Sequence, residues 1–201
     1  MEKRARTDHP IHELIQNRWS PRAFAERAIT PSLLSSLFEA ARWAPSAYND
    51  QPWYFIIAER EAPDEFARLL SCLVAANQSW AKYAAVLAIA VARMRFAHDG
   101  SPNPHAAYDT GQAVQSLCLQ ATALGISVHQ MGGFSPQKAR ELYGIPAAFE
   151  PLTAVALGYL GDPTSLPKKL SELEVAPRTR RPIRDFVFGG AFAMPARFLQ
   201  Q

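Results

Sequence analysis

Nine consecutive apolar residues, Ala84–Ala92, constrain the fold of this chain more than any other feature. The run is too short to cross a bilayer, which takes about 20 residues. It has no polar face, so it reads as a buried central strand. Trp53–Ala58, Ile126–His129 and Leu152–Tyr159 read as further strands. Helical patterns lie between them. Ile11, Leu14, Ile15 and Trp19 fall at helical spacing, with Asp8 as candidate cap. Thr30-Pro31 is a hydroxyl cap followed by proline at the first helical position, and Leu33, Leu34, Leu37, Phe38 and Ala41 form the apolar face behind it. Pro45 stops that helix. Pro63 opens another with Phe66, Leu69, Leu70, Leu73 and Val74 on one face; His105–Leu124 is a long helix ending at Gly125; Ser135-Pro136 starts one ending at Gly144. Arg93–His105 is a polar loop broken by Gly100, Pro102 and Pro104. Helices alternating with strands suggest a parallel α/β sheet on general rules.

Beyond Gly161 the pattern changes. Residues 163–182 hold four prolines and many charges, and read as a polar arm. Residues 183–201 regain Phe186, Val187, Phe188, Phe192, Met194 and Phe198. This apolar tail packs either on a partner subunit or on its own domain. With 201 residues, 48% hydrophobic and 19% charged, the chain suits one core-forming domain, 1–201. The net charge of +3 fits a small anionic ligand as well as nucleic acid. Cys72 and Cys118 read as reduced, buried thiols. No apolar leader stands in the first ten residues, so a cytoplasmic protein is expected, with no membrane partner.

Three clusters carry the candidate chemistry. Arg18, Ser20 and Arg22 set two planar guanidiniums and a hydroxyl on alternate positions, suited to phosphate oxygens, or else to a solvated helix end. The segment Pro45–Trp53 offers Ser46, Asn49 and Gln51 as donors and acceptors for a cleft wall, or as a turn built for backbone reasons. Arg178, Arg180 and Arg181 stand far downstream; the cluster lacks the interleaved aromatics of a nucleic-acid patch, so no nucleic-acid partner is expected. The pair Gly132-Gly133 after Gln130 and Met131 permits close approach to a flat ligand, or a simple tight turn. His98, Asp99, His105 and Asp109 match no metal-ligand spacing, so no metal is expected, and no nucleophile motif occurs.

Taken in order, Arg18-x-Ser20-x-Arg22-x-Phe24, Pro45-Ser46-x-x-Asn49-x-Gln51-Pro52-Trp53, Gly132-Gly133-Phe134, Leu157-Gly158-Tyr159 and Arg178-x-Arg180-x-Pro182 resemble the FMN-dependent nitroreductase family over about residues 10–185. The resemblance implies an α+β three-layer sandwich whose mixed, mainly antiparallel sheet lies between helices. It implies an intertwined homodimer, with the tail from Ile183 extended over the partner. By similarity Arg18, Ser20, Arg178 and Arg180 would hold the FMN phosphate and ribityl chain, Arg22 would lie near the pyrimidine edge, and Trp19 and Arg181 would also belong to the cofactor site. Pro45, Ser46, Ala47, Asn49 and Gln51 would reach the flavin of the other subunit, and Gln130, Met131, Gly132 and Gly133 would run along the N5 side of the ring. The implied cycle has two strokes: NAD(P)H gives hydride to the flavin, then a nitroaromatic, quinone or similar flat acceptor takes the reducing equivalents. No side chain is assigned as catalytic beyond an electrostatic role for Arg22. Rival readings are the same fold with another acceptor (dehalogenation, enal or semialdehyde reduction), and a flavin sensor or store without turnover. Two departures from the family pattern stand out: Gly132 where some members are acidic, and a ring-edge lysine whose only candidate counterparts are Asn77 and Lys82.

Overall fold

A computed structural model describes residues 3–199; Gln200 and Gln201, the end of the expected tail, and the first two residues of the expected domain lie outside them. Strand β2 (Val86–Arg93) is the buried run read from the sequence. It is flanked by β1 (Trp53–Glu59) and β4 (Phe149–Gly158), and β3 (Ser127–Met131) pairs with the far side of β4. Every pairing is antiparallel, with Ile56 opposite Ile89, Ala88 opposite Val155, and Val128 opposite Leu157. The parallel sheet expected from alternation is therefore wrong, and the α+β sandwich is right. The physical reason is strand insertion. β2 and β3 do run the same way and are joined by a helix, but β4 enters the sheet between them and pairs antiparallel with both.

Alternate residues of β2 enter two different cores, which makes the molecule three-layered. Leu87, Ile89 and Val91 pack with Phe66, Leu69, Trp80, Met131 and Ala139 on one face. Val86, Ala88 and Ala90 pack with Leu34, Leu37, Ala41, Val114, Leu117 and Cys118 on the other. Helices α2 (Pro31–Arg42) and α5 (Ala106–Ala123) cover this second face. The first is covered by α3 (Pro63–Leu70), α4 (Ala75–Ala81) and α6 (Pro136–Tyr143). The two expected hydroxyl caps hold. Thr30 Oγ1 accepts from Leu33 N at 3.4 Å, and Ser135 Oγ from Lys138 N at 3.1 Å.

Other expectations fail locally. The first helix, α1 (Glu13–Asn17), is capped by His12 Nδ1 rather than by Asp8, so Ile11 and Trp19 fall outside it. Leu73 and Val74 do not continue α3, because the chain turns there to form a bridge from Leu73 to Phe134 and then begins α4. The polar arm is not irregular throughout: it carries α7 (Lys168–Val175), whose Glu174 is buried. Cys72 and Cys118 are buried and free, as expected. The tail forms a small turn of its own, closed by the Phe188 to Pro195 bridge, with only Ala196 buried among the described residues from Ile183 onward. Among the described residues no helix is long and apolar enough to cross a membrane.

Candidate functional site

The loop after α1 is held from four directions. Phe24 bridges Leu160, while Ala25 N donates to Tyr159 O and Gly161 N to Ala23 O, which ties the loop to the end of β4. Gly158 makes this approach feasible: a Cβ there would lie 2.7 Å from the Phe24 ring. His129 on β3 brings Nδ1 to 2.9 Å from Pro21 O. Glu174 on α7 accepts with Oε1 from Arg22 N at 2.7 Å and Ala23 N at 3.0 Å. Arg178 closes the ring of contacts. Its guanidinium donates to the carbonyls of Lys3, Gln16 and Arg18, each at 2.8 Å.

This framework creates a cavity of about 180 Å³ lined by Lys3, Arg18, Trp19, Ser20, Arg22, Leu173, Glu174, Arg178 and Arg180. Five cationic side chains thus face one carboxylate. Burial first, and then the Arg18 and Arg180 cations, pull the Arg178 guanidinium below its ordinary pKa. Burial likewise lowers Lys3, aided by Arg178 and Arg22, while Glu174 opposes the shift. Like charges crowded at a shared hollow are relieved by an anion, and guanidiniums favour phosphate or carboxylate oxygens. Arg18 Nη1 donates to Ser20 Oγ at 3.3 Å, which presents hydroxyl and cation side by side. Whole small-molecule sites usually measure roughly 300–1,000 Å³, so a cavity of this size suits one end of a ligand.

Three segments distant in sequence therefore meet as the first and third clusters suggested, with two exceptions. Arg181 does not line the cavity; its guanidinium lies over the Phe186 ring at 5.1 Å. Arg178 spends much of its donor capacity on backbone carbonyls, so it straps the arm to α1 as well as lending charge.

The Pro45–Gln51 loop does not line this cavity. It is a second, separately braced feature. Tyr48, Asn49 and Gln51 hold positive φ of 54°, 54° and 47°. Each such residue costs about 1–3 kcal/mol, and strain of this kind persists where the surroundings over-determine it. Here they do. Ser46 Oγ accepts from Gln51 N, and Ala47 N donates to the buried Asp109 carboxylate at 3.0 Å. Asp50 takes hydrogen bonds from Ala97 N and Asn103 Nδ2 and pairs with Arg93 at 3.1 Å. Burial pushes the Asp50 carboxyl up, but these donors outweigh it and hold the group below its usual value. The Arg93–His105 loop is thereby fastened to the strained loop. Tyr48, exposed, stands 5.7 Å from Phe96 and 6.1 Å from His98 between ring centres.

The glycine segment has a structural explanation in part. A Cβ on Gly133 would sit 2.6 Å from Asn77 Nδ2, and Gly133 O accepts from both Asn77 Nδ2 and Val74 N. Asn77 is therefore committed to α4 packing, and Lys82 lies over Tyr83. Met131 is buried in the core, and its carbonyl accepts from Thr153 Oγ1 at 3.2 Å. Gln130 is exposed, and the position of a Gly132 Cβ is open space.

The sequence reading missed Lys3, Asp50, Asp109, His129 and Glu174. All five are single charged or titratable residues whose role exists only through partners more than 40 residues away in sequence. No local signal separates them from solvated ones.

Comparison with known proteins agrees with this architecture. The nitroreductase family model matches residues 15–159. A Stenotrophomonas maltophilia (strain K279a) protein, provisionally named NADH dehydrogenase/NAD(P)H nitroreductase, is 29% identical over 183 residues, covering 81% of this chain and 91% of that protein. A crystal structure described as an oxidoreductase containing FMN superposes with a TM-score of 0.89 at 38% identity, covering 94% of this chain and 96% of that one. A provisionally named nitroreductase from Desulfovibrio desulfuricans, solved with FMN, shares the fold at a TM-score of 0.69 and 22% identity, covering 92% and 99%. The matched stretch runs from α1 to the end of β4 and so includes the braced loop, the strained loop and the whole sheet; the chain belongs to the nitroreductase family.

Proposed function

We propose that this chain is an FMN-dependent oxidoreductase. It takes reducing equivalents from NAD(P)H and passes them to nitroaromatic, quinone or similar flat acceptors, as a cytoplasmic homodimer of single-domain subunits. The observation that carries the reading is the convergence of Arg18, Ser20, Arg22, Arg178 and Arg180 on one small cavity. The donor set fits the phosphate end of FMN: fixed guanidiniums, an ammonium and a hydroxyl, too confined for the whole cofactor. The similarity to an FMN-containing oxidoreductase at 38% identity supports the same assignment.

Arg18, Ser20, Arg180 and Lys3 bind the phosphate, and Arg178 adds charge while holding the arm against α1. Trp19, with Lys3 Nζ 4.7 Å from its ring centre, forms part of the wall. Arg22 serves the polar edge of the ring. There a guanidinium stabilises the negative charge that accumulates on reduction. FMN, when bound, supplies the redox chemistry. Pro45, Ser46, Ala47, Asn49 and Gln51 act across the subunit boundary, and the Gln130–Gly133 backbone lines the ring; Arg181 steadies the tail.

The exposed tail supports dimerisation. Phe192, Phe198 and Met194 are 91%, 65% and 58% exposed on the single chain. Apolar surface of that kind is covered by a partner.

The test is direct. The purified protein is yellow, binds FMN, and oxidises NAD(P)H faster when a quinone or nitroaromatic is added. A colourless protein that takes up no FMN overturns the cofactor assignment. A yellow protein without acceptor-dependent turnover reduces it to a flavin store.

A further inference from the structure

We propose that Glu174 is a positioning residue that keeps Arg22 out of the anion-binding end of the cavity. Phosphate is then taken by Arg18, Arg178, Arg180 and Lys3, and Arg22 stays available to the uncharged part of the ligand. This rests on the reading of the cavity as the phosphate end of an FMN site.

Charge pairing is the first observation. Of the five cations lining the cavity, only Arg22 lies within ion-pair distance of a carboxylate among the described residues, with Nη1 3.8 Å from Glu174 Oε2. Of the other four, Lys3, Arg178 and Arg180 donate to backbone carbonyls and Arg18 to the Ser20 hydroxyl, so none is neutralised by a carboxylate at ion-pair distance among the described residues. Positive potential is therefore greatest at the Arg18, Arg178 and Arg180 end.

The second observation is how Glu174 is spent. Its side chain is fully buried, and Oε1 holds the backbone N–H groups of Arg22 and Ala23. That fixes where the Arg22 side chain begins. Oε2 has no hydrogen-bond donor, although it is buried in the cavity wall. A buried carboxylate oxygen without a donor is costly unless a cation faces it. Here the facing cation is Arg22, whose side chain is 30% exposed and so has room to move. Charge, rather than packing, sets its direction.

One residue thus gives the cavity a polarity: anion at one end, neutral donors and acceptors at the other. Nothing in the sequence of the charged arm distinguishes Glu174 from Glu172, two residues away and exposed.

The test compares FMN with riboflavin, which lacks the phosphate, by flavin fluorescence titration of the apoprotein. Glu174→Gln keeps an oxygen for the two N–H groups and removes the charge. Arg22 is then free to join the phosphate, and the ratio of riboflavin to FMN dissociation constants rises by roughly tenfold, the size of one added charge-assisted hydrogen bond. In an Arg22→Gln background the same change leaves the ratio within about twofold, because no guanidinium remains to move; RT ln 2 is small beside that bond. An unchanged ratio in Glu174→Gln overturns the proposal, as does an equal rise in both backgrounds, which is the carboxylate's field acting alone. Should Glu174→Gln not fold, Arg22→Gln by itself decides. Equal weakening of FMN and riboflavin supports the proposal, and a selective loss of FMN overturns it. If the native protein binds neither flavin, it is the cofactor reading that falls.

Discussion

His129 gives the folded state an acid limit that can be worked from its surroundings. The imidazole lies against Trp80, with ring centres 4.6 Å apart, and its Nδ1 meets Pro21 O at 2.9 Å. Burial lowers its pKa from 6.5 to about 4; the bond to Pro21 resists the shift, and the Arg22 and Arg18 cations add to it. Folded protein therefore keeps His129 neutral down to about pH 4, while unfolded protein takes up the proton near 6.5. The unfolded state binds more protons across that window. This contribution to stability is fully present above pH 6.5 and is lost as pH falls through the folded value. A 2.5-unit difference corresponds to about 3.4 kcal/mol at its limit, of which about 2 kcal/mol is already lost between pH 7 and pH 5. Aspartate and glutamate titrate little in that upper range. Urea unfolding at fixed FMN concentration, at pH 7, 6 and 5, measures the loss in the native protein and in His129→Asn. Asparagine keeps an N–H near the Nδ1 position and cannot titrate. Its loss of packing against Trp80 lowers stability at every pH alike, so the informative quantity is the slope. The native protein loses about 2 kcal/mol more than the variant between pH 7 and pH 5. Equal slopes in the two proteins refute the reasoning.

Arg180→Ala weakens FMN binding by about 10–100-fold, the loss of a charge-assisted contact, and riboflavin binding far less; equilibrium titration of both ligands checks it. Arg22→Gln lowers the flavin midpoint potential by some tens of millivolts in spectroelectrochemical titration, about 30 mV for each 1.4 kcal/mol of lost differential stabilisation. Gly133→Ala costs about 1–3 kcal/mol in thermal unfolding, since its Cβ meets Asn77 Nδ2 at 2.6 Å and displaces the amide that donates to Gly133 O. Truncation before Ile183 weakens both the dimer and flavin retention; a truncated protein that stays dimeric and yellow on sizing chromatography refutes the tail's role.

Local chemistry made several elements legible in the sequence. Thr30-Pro31 and Ser135-Pro136 start helices because a hydroxyl and a pre-set φ act within a few residues. Ala84–Ala92 announced a strand buried on both faces because no polar residue interrupts it. The paired arginines at the end of α1 and in the arm read as anion ligands from their type alone, and the order of motifs along the chain pointed to the family.

Tertiary structure decided the rest. Strand direction follows from the insertion of β4 between β2 and β3, a pairing between segments that no local period encodes. Met131 and Gly133, read as flanking a ligand, are claimed by the core and by Asn77. Arg178 and Arg181 look equivalent in sequence, yet one is strapped to three carbonyls and the other lies on Phe186. Glu174 resembles any charge of a solvated arm until the fold sets it beneath Arg22. A charged group acquires its meaning from what faces it. Periodicity and caps are short-range and survive in the sequence, whereas the partner of a buried charge is chosen only when distant segments meet.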